Sequence, residues 1–215
     1  MTNEDAIEET RELSLEGVLE YDGQKMGYAV GKWTLEDIGK AHSRQGRNVM
    51  ILRPFNVVGL GQSSTYGMVV PNFINNSLED KPITVYNDGE QTRSFSCVET
   101  VVSTLYKLIQ VPAAWKNGYN IINIGSNHCV TVNHLAEAVL DITGSNSQIV
   151  HKPYTSAFPD KVDVKHRVPN LTRITNLVGE IEWPRIEEVI TNMVKHSKLQ
   201  SSTKLELVQD CLISQ

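Results

Sequence analysis

The chain has 215 residues, of which 40% are hydrophobic and 21% charged, enough to build a packed core in one or two compact units. A formal net charge of −5 excludes a broad positive field for a nucleic acid, so any phosphate has to be met by a few placed arginines. Cys97, Cys129 and Cys211 are odd in number, far apart and free of metal-ligand spacing. No apolar run approaches the roughly 18 residues of a membrane span, and the acidic start is the opposite of a signal peptide, so a reduced, cytoplasmic protein without a metal or membrane partner is expected.

Residues 1–23 are acidic and weakly periodic, a loop-rich lead-in with room for one short helix. A helix is predicted from near Gln24 to about Gln45. It contains no proline, Ala29, Trp33, Leu35 and Ile38 recur at helical spacing, and Gly46 closes it. Asn48–Arg53 is an apolar run of strand length, Phe55–Gly67 a Gly/Ser/Asn-rich loop, and Met68–Leu78 a short helix. Pro82–Val98 reads as two strands around the turn Asn87-Asp88-Gly89. Helices at Val98–Gln110 and Val132–Ile142, the second capped by Thr131 and ended by Gly144, flank a strand at Tyr119–Ile124. A strand at Ile149–Lys152, a short helix at Asn170–Val178 and an amphipathic helix from Ile186 to about Leu199 complete the predicted elements, with Gln200–Gln215 as a weakly helical tail.

Tyr28 and Lys32 stand four apart on the predicted helix and share one face. A phenol near pKa 10 is a poor base at neutral pH, and a neighbouring ammonium lowers it at about 1.4 kcal/mol per unit, so the pair suits proton transfer. Any exposed helical pair produces the same spacing. Its context is more specific: Gly27-Tyr28-Ala29-Val30-Gly31-Lys32, then Glu36, then Arg53-Pro54-Phe55-Asn56-Val57-Val58-Gly59 and Gly61-Gln62. In this order the segments closely resemble the extended short-chain dehydrogenases/reductases, above all their NAD-dependent nucleotide-sugar epimerases, dehydratases and decarboxylases. The resemblance implies that Tyr28 is the acid/base, that Lys32 holds the nicotinamide ribose of NAD or NADP, that Phe55 lies beside the nicotinamide and that Asn56 contacts a substrate diphosphate. Read from its residues alone, Asn56 in a glycine-flanked loop equally serves to hold the turn.

The run Pro82-Ile83-Thr84-Val85-Tyr86-Asn87-Asp88-Gly89-Glu90-Gln91-Thr92-Arg93-Ser94-Phe95 predicts a hairpin that sets Arg93 near Tyr86. Arginine offers a planar fork to a diphosphate and the tyrosine an aromatic face to a base or ribose, although a cross-strand arginine is also an ordinary solvated group. The run resembles the same family's nucleotide-sugar signature, which implies substrate-binding roles for Thr84, Tyr86 and Arg93. Arg167-Val168-Pro169-Asn170 resembles its late Arg-x-Pro-Asp element with Asn170 in place of the acid, implying that Arg167 meets a phosphate. Met68 stands where the epimerases often carry asparagine, which blurs the sugar. Thr2-Asn3-Glu4 is similar to the Thr-Asp-Glu of the sugar dehydratases and implies that Thr2 bonds a substrate oxygen, while any polar N-terminus looks much the same.

No Gly-x-x-Gly-x-x-Gly turn follows a strand, and a βαβ unit needs about 30 residues where about 27 precede Tyr28. The expectation is therefore an α/β fold. A partial Rossmann-like parallel sheet with the Tyr-x-x-x-Lys helix spans residues 1–60, a mixed α/β C-terminal substrate lobe spans 61–199, and a tail spans 200–215. The expected activity is a nucleotide-sugar epimerase, dehydratase or decarboxylase whose cofactor-binding half comes from a partner chain or a longer product. Alternatives are a non-catalytic sugar-nucleotide-binding module, an inactive fragment, and a thioester-reductase-like member. An open sheet edge and an uncovered apolar helix face are expected, with homo-oligomerisation as their outlet.

Overall fold

A computed structural model of the chain describes residues 23–115, 118–157 and 165–213. Helix α1 (Gly23–Arg44) turns back through a short loop into strand β1 (Val49–Pro54). β1 lies parallel to β6 (Tyr119–Ile124) over its whole length, from Val49 opposite Tyr119 to Pro54 opposite Ile124. Two short strands follow, β2 (Val57–Val58) and β5 (Ser96–Cys97), paired parallel with Val57 opposite Ser96. Ile122 and Ile124 of β6 are fully buried beneath Val101 and Leu108 of α3 (Val98–Ile109), Ile174 of α5 (Thr172–Val178) and Trp183, which form one hydrophobic core. This is the partial parallel sheet with helical cover expected from the sequence.

The second core belongs to the lobe. α2 (Val69–Leu78), α4 (Val132–Thr143) and α6 (Ile186–Ile213) pack around β3 (Ile83–Tyr86), burying Phe73, Ile74, Ile83, Val85, Leu135, Val139 and Ile190. β3 alternates: Ile83 and Val85 are fully buried while Thr84 and Tyr86 are half-buried, the pattern of a strand with one face on the core. α4 starts where its sequence cap predicts, with Thr131 Oγ1 accepting a hydrogen bond from the His134 amide at 3.1 Å, and stops before Gly144.

One expected element is different. β3 does not return as a hairpin onto β4 (Thr92–Ser94); it pairs in parallel with β8 (Ile149–Lys152), Ile83 opposite Ile149 and Tyr86 opposite Lys152. β4 forms the centre of another sheet, antiparallel to β7 (Cys129–Thr131) and parallel to β9 (His166–Arg167). The physical reason is burial: the inner face of β3 is apolar and finds its neighbour in β8 over the α2–α4 core, whereas Arg93 and Thr92 on β4 are too polar to extend that core. The Asn87-Asp88-Gly89 segment still turns, but it joins two sheets. Among the described residues β1 has β6 as its one neighbour, and Leu35 and Ile38 on α1 are 59% and 48% exposed.

Candidate functional site

The three-stranded sheet places two arginines together that lie 74 positions apart in the chain. In the β4–β9 register Arg93 is directly opposite Arg167, and Thr92 opposite His166, so the arginines share one face of the ladder. Arg93 is half-buried, and its Nη1 donates to the Thr92 carbonyl at 2.8 Å and to the Lys165 carbonyl at 3.4 Å; Arg167 is exposed. Directly opposed like charges on neighbouring strands repel and destabilise a ladder. An anion placed over both would remove that repulsion and supply acceptors to two planar forks.

A second group sits at the C-terminal end of β3. Tyr86 meets Tyr154 edge to face, with ring centroids 6.0 Å apart and planes at 89°. The β3–β8 register puts Lys152 opposite Tyr86, on the face that also carries Thr84. Asn87 joins the pieces: in the left-handed region at φ 57, it donates its amide to the Lys152 carbonyl at 2.8 Å, and its Oδ1 accepts the Tyr154 amide at 2.9 Å. Gly89 follows at φ 74, and a Cβ there would stand 2.0 Å from Asn133 Oδ1. Asn133, near the start of α4, grips this turn by donating Nδ2 to the Asp88 carbonyl at 2.8 Å and to Glu90 Oε1 at 2.7 Å. Gln91 Nε2 reaches back to the Tyr86 carbonyl at 3.2 Å. Tyr86 and Arg93 therefore belong to different sheets linked by this turn, which corrects the cross-hairpin placement.

The corner after β1 connects these groups to the helix side. Asn56 adopts φ 37, and its Nδ2 donates to the Ser94 carbonyl at 2.7 Å, so the side chain holds the corner against the residue following Arg93. Ser96, fully buried, does more: its Oγ donates to the Phe55 carbonyl at 2.6 Å and accepts the Ser126 amide at 2.9 Å, while its own amide donates to the Asn56 carbonyl at 3.0 Å. Phe55 is buried at 9% exposure, and Gly125 is required beside it because a Cβ there would lie 2.9 Å from both Phe55 Cβ and Ser96 Oγ. The Phe55–Asn56 corner is thus tied to the Arg93 strand.

Lys32 is exposed on α1, and one turn further Glu36 makes a two-point ion pair with Arg53 of β1, Nε to Oε1 and Nη2 to Oε2, each at 2.8 Å. Tyr28 lies within α1, but its side chain, like Thr2, falls outside the described residues. Beside the β4–β7 ladder, a cleft of about 420 Å³ is lined by Phe95, His128, Cys129, His134 and Glu187. There burial alone would raise the Glu187 carboxyl, but hydrogen bonds from His134 and its own amide, with the charges of His134 and Arg185, bring it below the usual range. Burial pushes the Cys129 thiol up. Lys152, Tyr154, Asn133 and Ser96 were not picked out from sequence. The pairing of distant segments, parallel for β8 and β5 and antiparallel for β7, brings them to the site, and no local pattern marks them.

Of the residues expected at a nicotinamide cofactor, Lys32 is exposed on α1 and Phe55 is buried at a corner packed so closely that Gly125 has no room for a Cβ. Among the described residues no strand passes through a glycine-rich turn into a helix to cradle the cofactor diphosphate.

The NAD dependent epimerase/dehydratase family model matches residues 7–125. Over 155 residues the chain is 31% identical to a UDP-N-acetyl-alpha-D-glucosaminuronate decarboxylase of Bacillus cytotoxicus, covering 71% of this chain and 47% of that protein. Over 177 residues it is 34% identical to UDP-glucuronic acid decarboxylase 4 of Arabidopsis thaliana, covering 80% of this chain and 37% of that one. Among solved structures, the UDP-glucose 4-epimerase of Thermotoga maritima with UDP-glucose superposes at a TM-score of 0.69 with 26% identity, over 80% of this chain and 53% of that chain. The chain thus spans less than half the length of these curated relatives.

Proposed function

From the premise that the chain belongs to the NAD-dependent epimerase/dehydratase family, we propose that it binds a nucleoside-diphosphate sugar and serves the proton transfer of a sugar-hydroxyl oxidation. The observation that carries the reading is the Arg93–Arg167 pair, two arginines opposite each other in the β4–β9 register, whose mutual repulsion a diphosphate would relieve. Thr84 and Tyr86, on one face of β3, receive the ribose and base, and Asn56 stands at the corner between this nucleotide and the sugar. In the family's order Tyr28 takes the hydroxyl proton, Lys32 holds the phenol toward its ionised form and Thr2 bonds a sugar oxygen. NAD or NADP, when bound, supplies the two-electron acceptor; Lys32 and Phe55 would hold its nicotinamide end. The uronate decarboxylases and the 4-epimerase among the relatives support a UDP-sugar, with decarboxylation, epimerisation or dehydration completing the reaction.

A second reading, a sugar-nucleotide-binding module without turnover, rests on the same Arg93–Arg167 pair and needs no cofactor contact. Calorimetry with UDP-glucuronate, UDP-glucose and UDP-N-acetylglucosamine, with and without NAD, separates the two. UDP-sugar binding lost in Arg93→Ala and Arg167→Ala supports the nucleotide site. NAD binding with turnover lost in Tyr28→Phe supports the enzyme, and UDP-sugar binding without NAD binding supports the module. Unchanged affinity in both arginine variants refutes the site.

A further inference from the structure

The bond between Glu36 and Arg53 fixes more than one contact. α1 and β1 run in opposite directions, joined by residues 45–48, and they are tied at two levels. At the lower level Ser43 packs at Gly118, where a Cβ would meet Ser43 Oγ at 2.9 Å, beside the start of β1, whose Val49 amide donates to the Gly118 carbonyl at 2.6 Å. At the upper level Glu36 grips Arg53. From Ser43 to Glu36 the helix rises about 10 Å at about 1.5 Å per residue, and from Val49 to Arg53 the strand rises about 13 Å at about 3.3 Å per residue. The two levels are mutually consistent.

The same register continues upward. Lys32 lies about 6 Å further along the helix than Glu36, and Phe55 about 6.6 Å further along the strand direction than Arg53. We infer that the Glu36–Arg53 ion pair is a register pin that holds Lys32 level with the Phe55–Asn56 corner, making both residues positioning residues for the Tyr28–Lys32 helix. Both side chains are largely withdrawn from water, at 13% and 17% exposure, and the two-point geometry resists rotation of α1 as well as sliding. α1 needs such a fixing. Its outer face carries Leu35 and Ile38 exposed, and among the described residues the strands packed on it are β1 and β6. The pin also places the helix on the branch of hydrogen bonds that runs through Asn56 to Ser94 and the strand of Arg93.

The inference deepens the proposed function and rests on its assignment of Tyr28 and Lys32. It is tested on the full chain by hydrogen exchange with mass spectrometry on Glu36→Ala, Arg53→Ala, the double variant and Arg53→Lys, alongside turnover of UDP-glucuronate with NAD. Each single alanine variant should speed exchange across α1 by about ten-fold or more while α3 and α4 keep their protection, and the double variant should be no faster than the faster single. Arg53→Lys, which keeps the charge and loses the fork, should behave as Arg53→Ala does. In turnover, kcat should fall about ten-fold or more while KM for the sugar nucleotide stays within about three-fold. Unchanged α1 exchange, a double variant whose effect is the product of the singles, or a wild-type-like Arg53→Lys overturns the pin. Loss in KM rather than kcat overturns the positioning role. A wild-type chain with no turnover counts against the enzymatic reading instead, and the exchange results then decide the pin by themselves.

Discussion

Replacing Ser96 by alanine removes one oxygen atom and leaves two backbone groups in difficulty. The Phe55 carbonyl loses the hydroxyl donor at 2.6 Å and the Ser126 amide loses its acceptor at 2.9 Å, at a residue with no solvent exposure. A buried polar group stripped of its partner costs about 1–3 kcal/mol, so the two together should cost about 2–6 kcal/mol. With a urea m-value of about 2 kcal/mol/M, the unfolding midpoint should drop by about 1–3 M. Urea titration followed by circular dichroism and tryptophan fluorescence measures it. Ser103→Ala, whose exposed hydroxyl bonds the Thr100 carbonyl one turn back, should stay within about 0.5 kcal/mol of wild type and serves as the control. Because the corner carries Asn56 against Ser94, Ser96→Ala should also weaken UDP-sugar binding at urea concentrations where the variant is still folded. A Ser96→Ala midpoint equal to that of Ser103→Ala would show that the corner is held by backbone pairing alone and refute the reasoning.

Gly89→Ala forces a Cβ to within 2.0 Å of Asn133 Oδ1 at a positive φ, so it should break the Asn133 grip on Asp88 and Glu90 and lower stability by about 2–4 kcal/mol; a thermal melt within a degree of wild type would contradict this. Arg93→Lys keeps a charge but not a fork and should lose about ten-fold in UDP-sugar affinity by calorimetry, with Arg93→Ala losing more. Glu187 has a lowered folded pKa, so its contribution to stability is present above its unfolded value near 4.5 and disappears as pH falls through the folded one. The stability of wild type should therefore fall more steeply than that of Glu187→Gln below about pH 4.5, and parallel acid limbs would remove the His134–Glu187 pair as the cause. The Cys129 thiol, raised by burial, should react with iodoacetamide at neutral pH several-fold more slowly than a free thiol. Rapid Cys129 labelling, read by mass spectrometry, would contradict that.

Where local chemistry decides an element, the sequence already shows it. Thr131 and Gly144 bracket α4 almost to the residue, and the run Tyr119–Ile124 is the strand paired along the whole of β1. Both arginines of the candidate site are singled out by the motifs they resemble. Their adjacency does not, because a ladder between residues 92–93 and 166–167 is set by how the chain crosses the sheet and not by any nearby pattern. The same cause produced the false hairpin: Asn87-Asp88-Gly89 supplies turn chemistry whichever partner β3 finds, and the partner is chosen by the apolar faces of Ile83 and Val85. β7 and β9 are two or three residues long and carry no alternation a reader could use. The Glu36–Arg53 pair was visible only as two letters of a motif, and its meaning required the antiparallel run of α1 and β1.

The parallel pairing of β3 with β8 also sets the order in which this chain can acquire its aromatic face. A hairpin would have closed a loop of a few residues, whereas Ile83 must wait for Ile149. At about (3/2)RT ln n, closing the longer loop costs about 2 kcal/mol more than a short hairpin, and it is repaid only when α4 has docked to cover both strands. During synthesis Tyr86 therefore stays without its Tyr154 neighbour until the 68 residues after it have emerged. A nucleotide present during refolding should accelerate the last step and leave the early ones untouched.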